Sequence, residues 1–122
     1  MEVMTWKMFD EACRFLTVKL QTFNPDSIYG IPRGGMVVAV RLSHLTGLPV
    51  VPKPDKKTLV VDDICDSGIT LKKFDDKNYI TATLYFNENA VCKPTIWALK
   101  KTQFVVFPWE TNGSAKIDYE VK

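Results

Sequence analysis

Apolar residues recur at intervals of three and four through the first segment, Thr5 to Phe23: Trp6, Phe9, Cys13, Leu16, Leu20 and Phe23. That spacing puts them on one face of an amphipathic helix, and Asn24-Pro25-Asp26 stops it. Ser27 to Ile31 is a short apolar run that reads as a buried strand and leads into Pro32-Arg33-Gly34-Gly35. Apolar positions continue from Met36 to Leu45 as a second helix, which Gly47 and Pro49 close. Val50 to Lys57 has two prolines and three lysines and reads as a loop or frayed edge. Thr58 to Val61 is a β-branched run bounded by acids, again a buried strand. A short helix fits Thr70 to Asp76. From Ile80 to Phe86 the pattern alternates, with Ile80, Ala82, Leu84 and Phe86 facing one way and Thr81, Thr83 and Tyr85 the other. Phe104 to Phe107 reads as another strand, and Ile117 to Val121 as a weak edge strand or a loose end.

Strands alternating with helices imply crossover connections. The expected fold class is therefore α/β: a three-layer domain with a mainly parallel sheet flanked by helices. Ligands of such sheets sit outside the carboxyl ends of the strands. Two loops leave strands at that edge, Pro32 to Gly35 after the first and Asp62 to Thr70 after the second.

Composition narrows the class. The 122 residues, 46% of them hydrophobic, suffice for one domain with a real core and not for two. With 16 basic and 14 acidic residues the formal net charge is +2, so no basic excess argues for nucleic acid or an anionic membrane. Cys13, Cys65 and Cys92 form no CxxC pair, which argues against a disulfide framework or a zinc ribbon and for a reducing compartment. The chain shows no signal-peptide pattern and no apolar stretch of about 18 residues, so a cytoplasmic protein is expected.

The second loop carries the chemistry. Ser67, Gly68 and Thr70 stand between a strand end and a helix start. Helix-start N–H groups lie at the positive end of the dipole, Gly68 allows close approach, and two hydroxyls add donors, which together make a phosphate cup. Asp62 and Asp63 immediately precede it. They read either as capping or solvated acids, or as groups that face sugar hydroxyls or a cation. A sugar phosphate satisfies both halves of the run. Arg33 with Gly34 and Gly35 reads either as a tight turn or as a second anion site.

The run Leu59 to Thr70, LVVDDICDSGIT, resembles the phosphoribosyl pyrophosphate signature of the type I phosphoribosyltransferases. GIPRGGMVVAVRLSHLTGLPV resembles the pyrophosphate loop and following helix of that family, and TATLYF and FVVFPWE resemble the closing strands of its xanthine, guanine and hypoxanthine branch. The likeness runs from about Ile28 to Glu110, within a single domain spanning 1–122 whose last residues, 111–122, form a tail. It implies transfer of the 5-phosphoribosyl group from phosphoribosyl pyrophosphate to a purine base with Mg2+ as cofactor. The alternative it leaves is a non-catalytic, regulatory binder of the same fold. By the same resemblance Asp62 and Asp63 contact the ribose hydroxyls and Mg2+, and Asp66, Ser67, Gly68, Ile69 and Thr70 hold the 5-phosphate. Arg33 and Gly34 hold the pyrophosphate. Asp66 also accepts the proton of the attacking base, Phe104 stacks on it, and Val105, Trp109 and Asn87 border it. Related enzymes are commonly dimers or tetramers, so a homodimer is expected, with no nucleic acid and no membrane as partners.

Two positions depart from the family pattern. Only about ten residues join the Arg-Gly-Gly helix to the signature strand, where the family usually carries a long mobile loop. Lys53, Lys56 and Lys57 in that connection read as a solvated basic loop or as charge for the pyrophosphate. Asn87 stands where the purine branch typically has a lysine that contacts the exocyclic oxygen of the base; Lys93 serves instead only if its loop folds back. His44 reads as a surface residue and Cys65 as packing.

Overall fold

In a computed structural model that describes residues 1–111, the chain runs in the order β1 (Glu2–Val3), α1 (Trp6–Leu20), β2 (Ser27–Gly30), α2 (Gly34–Thr46), β3 (Thr58–Cys65), α3 (Ile69–Asp75), β4 (Ile80–Phe86), β5 (Ile96–Lys100) and β6 (Val105–Val106). β2, β3, β4 and β5 form one sheet in that order, and every pairing is parallel. β1 and β6 form a separate two-stranded parallel pair. α1 and α2 cover one face of the four-stranded sheet, with Phe9, Leu16, Val38 and Leu42 packed on Ile28, Val61 and Leu84. α3 covers the other face through Leu71 and Phe74 against Tyr29, Val60 and Phe86. This is the three-layer α/β arrangement expected of crossover-connected parallel strands.

The structure corrects several details. β3 continues through the acids to Cys65, with Asp62 opposite Thr83 and Cys65 opposite Phe86. The ladder to β4 holds those residues extended although acids have low strand propensity. β5 was not foreseen. Its five residues run from buried Ile96 to exposed Leu99 and Lys100, as befits an edge strand, and mutual hydrogen bonds of 3.0 Å between Thr81 and Thr95 set its start against β4. In β4 every residue from Thr81 to Phe86 is buried, because both faces are covered; the alternation is of chemistry and not of exposure. Trp6 and Phe23 are exposed and not core. Phe23 lies beyond the helix, which ends at Leu20, while Trp6 at its first turn leans edge-on against Phe9. Ile117 to Val121 fall outside the described residues.

The connection from α2 to β3 is tied down at the outer edge of β2. The Ile28 N–H donates to Pro49 O at 2.9 Å and the Val51 N–H to Ile28 O at 2.8 Å. The Asp26 N–H donates to Lys57 O at 3.1 Å, just before β2 begins. Lys56 and Lys57 therefore sit at the amino end of the sheet, opposite the edge where β2 and β3 finish. They are not placed to meet a pyrophosphate there.

α2 meets β3 through Gly35. A Cβ on Gly35 would lie 2.5 Å from Val61 O and 3.1 Å from Asp62 Cα, both backbone atoms that cannot swing aside. Gly35→Ala is expected to cost about 3 kcal/mol or more through this overpacking, read as a lower denaturant midpoint. A loss below about 0.5 kcal/mol would mean that helix and strand separate freely.

Candidate functional site

The site forms where β2 and β3 end side by side. The Ile31 N–H extends their ladder by donating to Val61 O at 2.9 Å. The Pro32–Arg33 peptide is cis, and Arg33, exposed, is the N-cap of α2. A Cβ on Gly34 would lie 1.9 Å from Asp63 Oδ2. The absence of a side chain there is what lets the Asp63 carboxylate lie against the Arg-Gly-Gly turn.

Asp62 and Asp63 are adjacent along an extended strand and both are partly covered. Asp62 Oδ1 accepts from the Asp63 N–H at 2.8 Å, and Asp63 Oδ1 from the Ile64 N–H at 2.8 Å. Burial, followed by the charge of Asp63, pushes the Asp62 carboxyl well above its ordinary value of 3.8. Burial raises Asp63 too, and Glu110 adds to it, against hydrogen bonds from Asp62 and Ile64 that lower it. Neighbouring carboxylates of this kind are costly to keep ionised without a cation or hydroxyl donors. Among the described residues no group of three or more His, Cys, Asp or Glu gathers as a metal-ligand set. Two carboxylates fit a Mg2+ that shares its remaining positions with phosphate oxygens and water, and do not make an all-protein cage.

Beyond β3 the chain turns through Ser67 and Gly68 into α3. Gly68, at φ 83°, is the N-cap, and Ser67 Oγ accepts from the Ile69 N–H at 3.3 Å. The turn is braced from the 90s loop: the Val91 N–H donates to Ser67 O at 2.8 Å, and Cys92 Sγ to Gly68 O at 3.3 Å. Ser67, Ile69 and Thr70 are exposed at this helix start. Cys65 lies beneath, buried, and burial pushes its thiol up to about 12, in keeping with packing.

The register of the sheet assembles a third group. Cys65 pairs with Phe86, and Phe86 with Lys100. The ladder continues one step, with the Asn87 N–H donating to Cys65 O at 2.9 Å and the Lys101 N–H to Phe86 O at 2.8 Å. Asp66, Asn87 and Lys101 are thus the first residues past three neighbouring parallel strands. Their side chains meet: Asp66 Oδ1 accepts from Lys101 Nζ at 2.9 Å and from Asn87 Nδ2 at 3.0 Å. Lys93 does not fold back to this point; its ammonium lies 4.8 Å over the Trp97 ring. Lys101 was missed because its position depends on β5 and its pairing, which a strand running from buried Ile96 to exposed Leu99 and Lys100 does not announce.

The aromatic expectations divide. Phe104 is 67% exposed, and its carbonyl accepts from the Glu2 N–H at 2.7 Å, so β1 holds the backbone beneath an exposed ring. Val105 is buried and pairs with Glu2. Trp109 stacks on Phe107 at 4.9 Å and meets Phe9 edge-on at 5.4 Å, so its ring is engaged with α1. His44 is exposed on α2.

No family model matches the sequence, and no curated protein matches it. Solved structures do. A purine phosphoribosyltransferase from Pyrococcus horikoshii is 28% identical, with a TM-score of 0.81 over 95% of this chain and 98% of its own. A xanthine-guanine-hypoxanthine phosphoribosyltransferase from Helicobacter pylori is 22% identical, with a TM-score of 0.77 over 91% and 94%. A hypothetical protein from Neisseria gonorrhoeae with bound ppGpp is 16% identical, with a TM-score of 0.70 over 92% and 91%.

The raised carboxyls make stability depend on pH. A carboxyl with a raised folded-state value holds its proton more tightly when folded, so its contribution falls as pH climbs above 3.8 toward that raised value. Without ligand or Mg2+, Asp62→Asn is expected to melt about 3 °C above the parent at pH 7. The difference should shrink toward pH 4. A lower melting point for the variant at pH 7 would contradict the strain assigned to this pair.

Proposed function

We propose that this chain, which belongs with the purine branch of the type I phosphoribosyltransferases, transfers the 5-phosphoribosyl group of phosphoribosyl pyrophosphate to a purine base and releases pyrophosphate. The observation that carries the reading is the approach of Gly34, in the turn after β2, to the Asp63 carboxylate on β3, with Asp62 beside it and the Ser67–Thr70 turn following the same strand end. That edge offers acceptors for sugar hydroxyls between two donor-rich anion sites.

In this reading Ser67, Gly68, Ile69 and Thr70 hold the 5-phosphate at the start of α3. Arg33 and the Gly34 backbone hold the pyrophosphate. Asp62 and Asp63 would hold Mg2+ and the ribose hydroxyls; the ion, when bound, offsets charge on the leaving pyrophosphate. A ring nitrogen of the base bonds to the anomeric carbon as the bond to pyrophosphate breaks, through a sugar with oxocarbenium character like that of glycoside cleavage. Asp66 accepts the proton that nitrogen gives up. Phe104 supplies an exposed face for the base. The rest of the rate comes from holding two reactants together.

A second reading, a nucleotide or phosphoribosyl pyrophosphate binder without turnover, is favoured by one observation. The short α2–β3 connection is hydrogen-bonded along β2 and does not reach over the site as a lid. The solved neighbour with bound ppGpp is compatible with a binding role for this fold.

An assay with phosphoribosyl pyrophosphate, Mg2+ and a panel of bases separates the two. Transfer predicts stoichiometric pyrophosphate and nucleotide. It also predicts that Asp66→Asn lowers kcat by about 100-fold while calorimetry shows phosphoribosyl pyrophosphate still bound. Binding without turnover of any base establishes the second reading. A homodimer is proposed through the exposed apolar residues Met36, Val40 and Val50. Met36→Glu with Val40→Glu should then halve the mass seen in sedimentation; a parent already monomeric removes that proposal.

A further inference from the structure

We propose that Cys65 and Cys92 form a reversible disulfide by exchange with a low-molecular-weight disulfide, and that closing it weakens anion binding at the Ser67–Gly68 turn. The effect on anion binding rests on that turn holding a phosphate, as the reading above requires; the bond itself does not.

Two of the three cysteines meet although 27 residues separate them. Cys65 ends β3 and is buried; Cys92 lies in the loop between β4 and β5 and is partly exposed. Their thiols are in side-chain contact with each other, and Cys65 Sγ lies 3.5 Å from Cys92 O. Both pack in the layer under α3, with Leu71, Phe74 and Phe86. Cys13, the third, packs on the other side of the sheet with Phe9 and Leu16. The loop that carries Cys92 also braces the turn after β3. The Val91 N–H donates to Ser67 O at 2.8 Å, and Cys92 Sγ to Gly68 O at 3.3 Å. Little slack separates the two: a Cβ on Gly68 would lie 3.0 Å from both Val91 N and Cys92 N.

The exchange runs in two steps. Cys92, the reachable thiol, attacks one sulfur of the small disulfide as a thiolate; a bond to Cys92 Sγ forms, the small molecule's S–S bond breaks, and one thiolate leaves. Cys65, held beside it, then attacks Cys92 Sγ, forms the Cys65–Cys92 bond and expels the second thiolate. The two protons given up by the cysteines go to the two released thiols, and the two electrons reduce the small disulfide. Burial keeps Cys65 from meeting the reagent first, and its position makes the second step intramolecular. In a reducing compartment such a bond is transient, which suits a switch and not a staple. Once bonded, Cys92 Sγ has no proton to donate to Gly68 O. A covalent S–S bond is also shorter than a thiol contact, so the loop is drawn toward β3. Close-packed interiors pass such shifts on, so the hydrogen bond from Val91 to Ser67 is disturbed and the turn loses the geometry of its reduced form. By reciprocity an anion on the turn disfavours the bond to the same degree.

The test treats the parent, Cys92→Ser and Cys65→Ala with oxidised glutathione, counts free thiols, identifies the products by mass spectrometry, and titrates inorganic phosphate by calorimetry before and after. The parent is expected to lose two of its three thiols with no glutathione left attached. Its phosphate affinity should fall about tenfold and return with reductant. Cys65→Ala should stop with one glutathione on Cys92. Cys92→Ser should keep its thiols and its phosphate affinity through the same treatment. A parent that keeps all its thiols, or stops at the mixed disulfide, overturns the bond. A parent that closes the bond with phosphate affinity unchanged overturns the switch. A reduced parent that binds no phosphate rejects the anion role of the turn in the transferase reading, and the thiol count still decides the bond.

Discussion

The parallel hydrogen-bond ladder from β2 to β5 is the constraint on which the site depends. Each strand runs in the same direction, so their carboxyl ends finish together. Helices cover both faces, which leaves no room for charge except at the ends. Arg33, Asp63 with Asp66, Asn87 and Lys101 come from four stretches of chain, yet the ladder gathers them along one edge. A change in pairing of a single residue would turn Asp66 or Lys101 to the opposite face.

Electrostatics at that edge is left incomplete. Asp62 is pushed toward protonation by burial and by the charge of Asp63, Asp63 by burial and Glu110, and the glycine turn that approaches Asp63 carries no side chain at position 34. A ligand that supplies hydroxyl donors and a cation relieves this. Asp66 is different: an ammonium and an amide already meet it. The acids of the run therefore differ in their surroundings: Asp62 and Asp63 are covered and crowded, while Asp66 is met by two donors.

The two-stranded pair β1–β6 holds the segment that carries Phe104. Glu2 pairs with Val105, its carboxylate accepts from the buried Tyr85 hydroxyl, and its N–H holds the Phe104 carbonyl. An aromatic ring exposed at 67% is thereby carried on backbone that is hydrogen-bonded from its own carbonyl onward. An exposed ring on a firm support loses little freedom when a partner packs on it.

Both main helices, the strands at Ser27, Thr58 and Ile80, and the acidic and glycine-rich loops were legible in the sequence by itself, because periodicity, caps and turn residues are local signals. So was the gathering of three acids, a glycine and two hydroxyls in LVVDDICDSGIT, since all of them stand within twelve consecutive positions. Other features were decided by tertiary structure alone. Asp62 to Cys65 are strand because β4 pairs with them, against their own propensity. The chain from Pro49 to Val51 lies along β2 because Ile28 offers it a hydrogen-bonding edge. Trp109 packs with Phe9 and Phe107 because β6 brings it over α1. Lys101 reaches Asp66, 35 residues away, because register across two strand pairs puts both in one row. Partners so far apart in sequence leave no local pattern; only the closed ladder of hydrogen bonds brings their charges within contact.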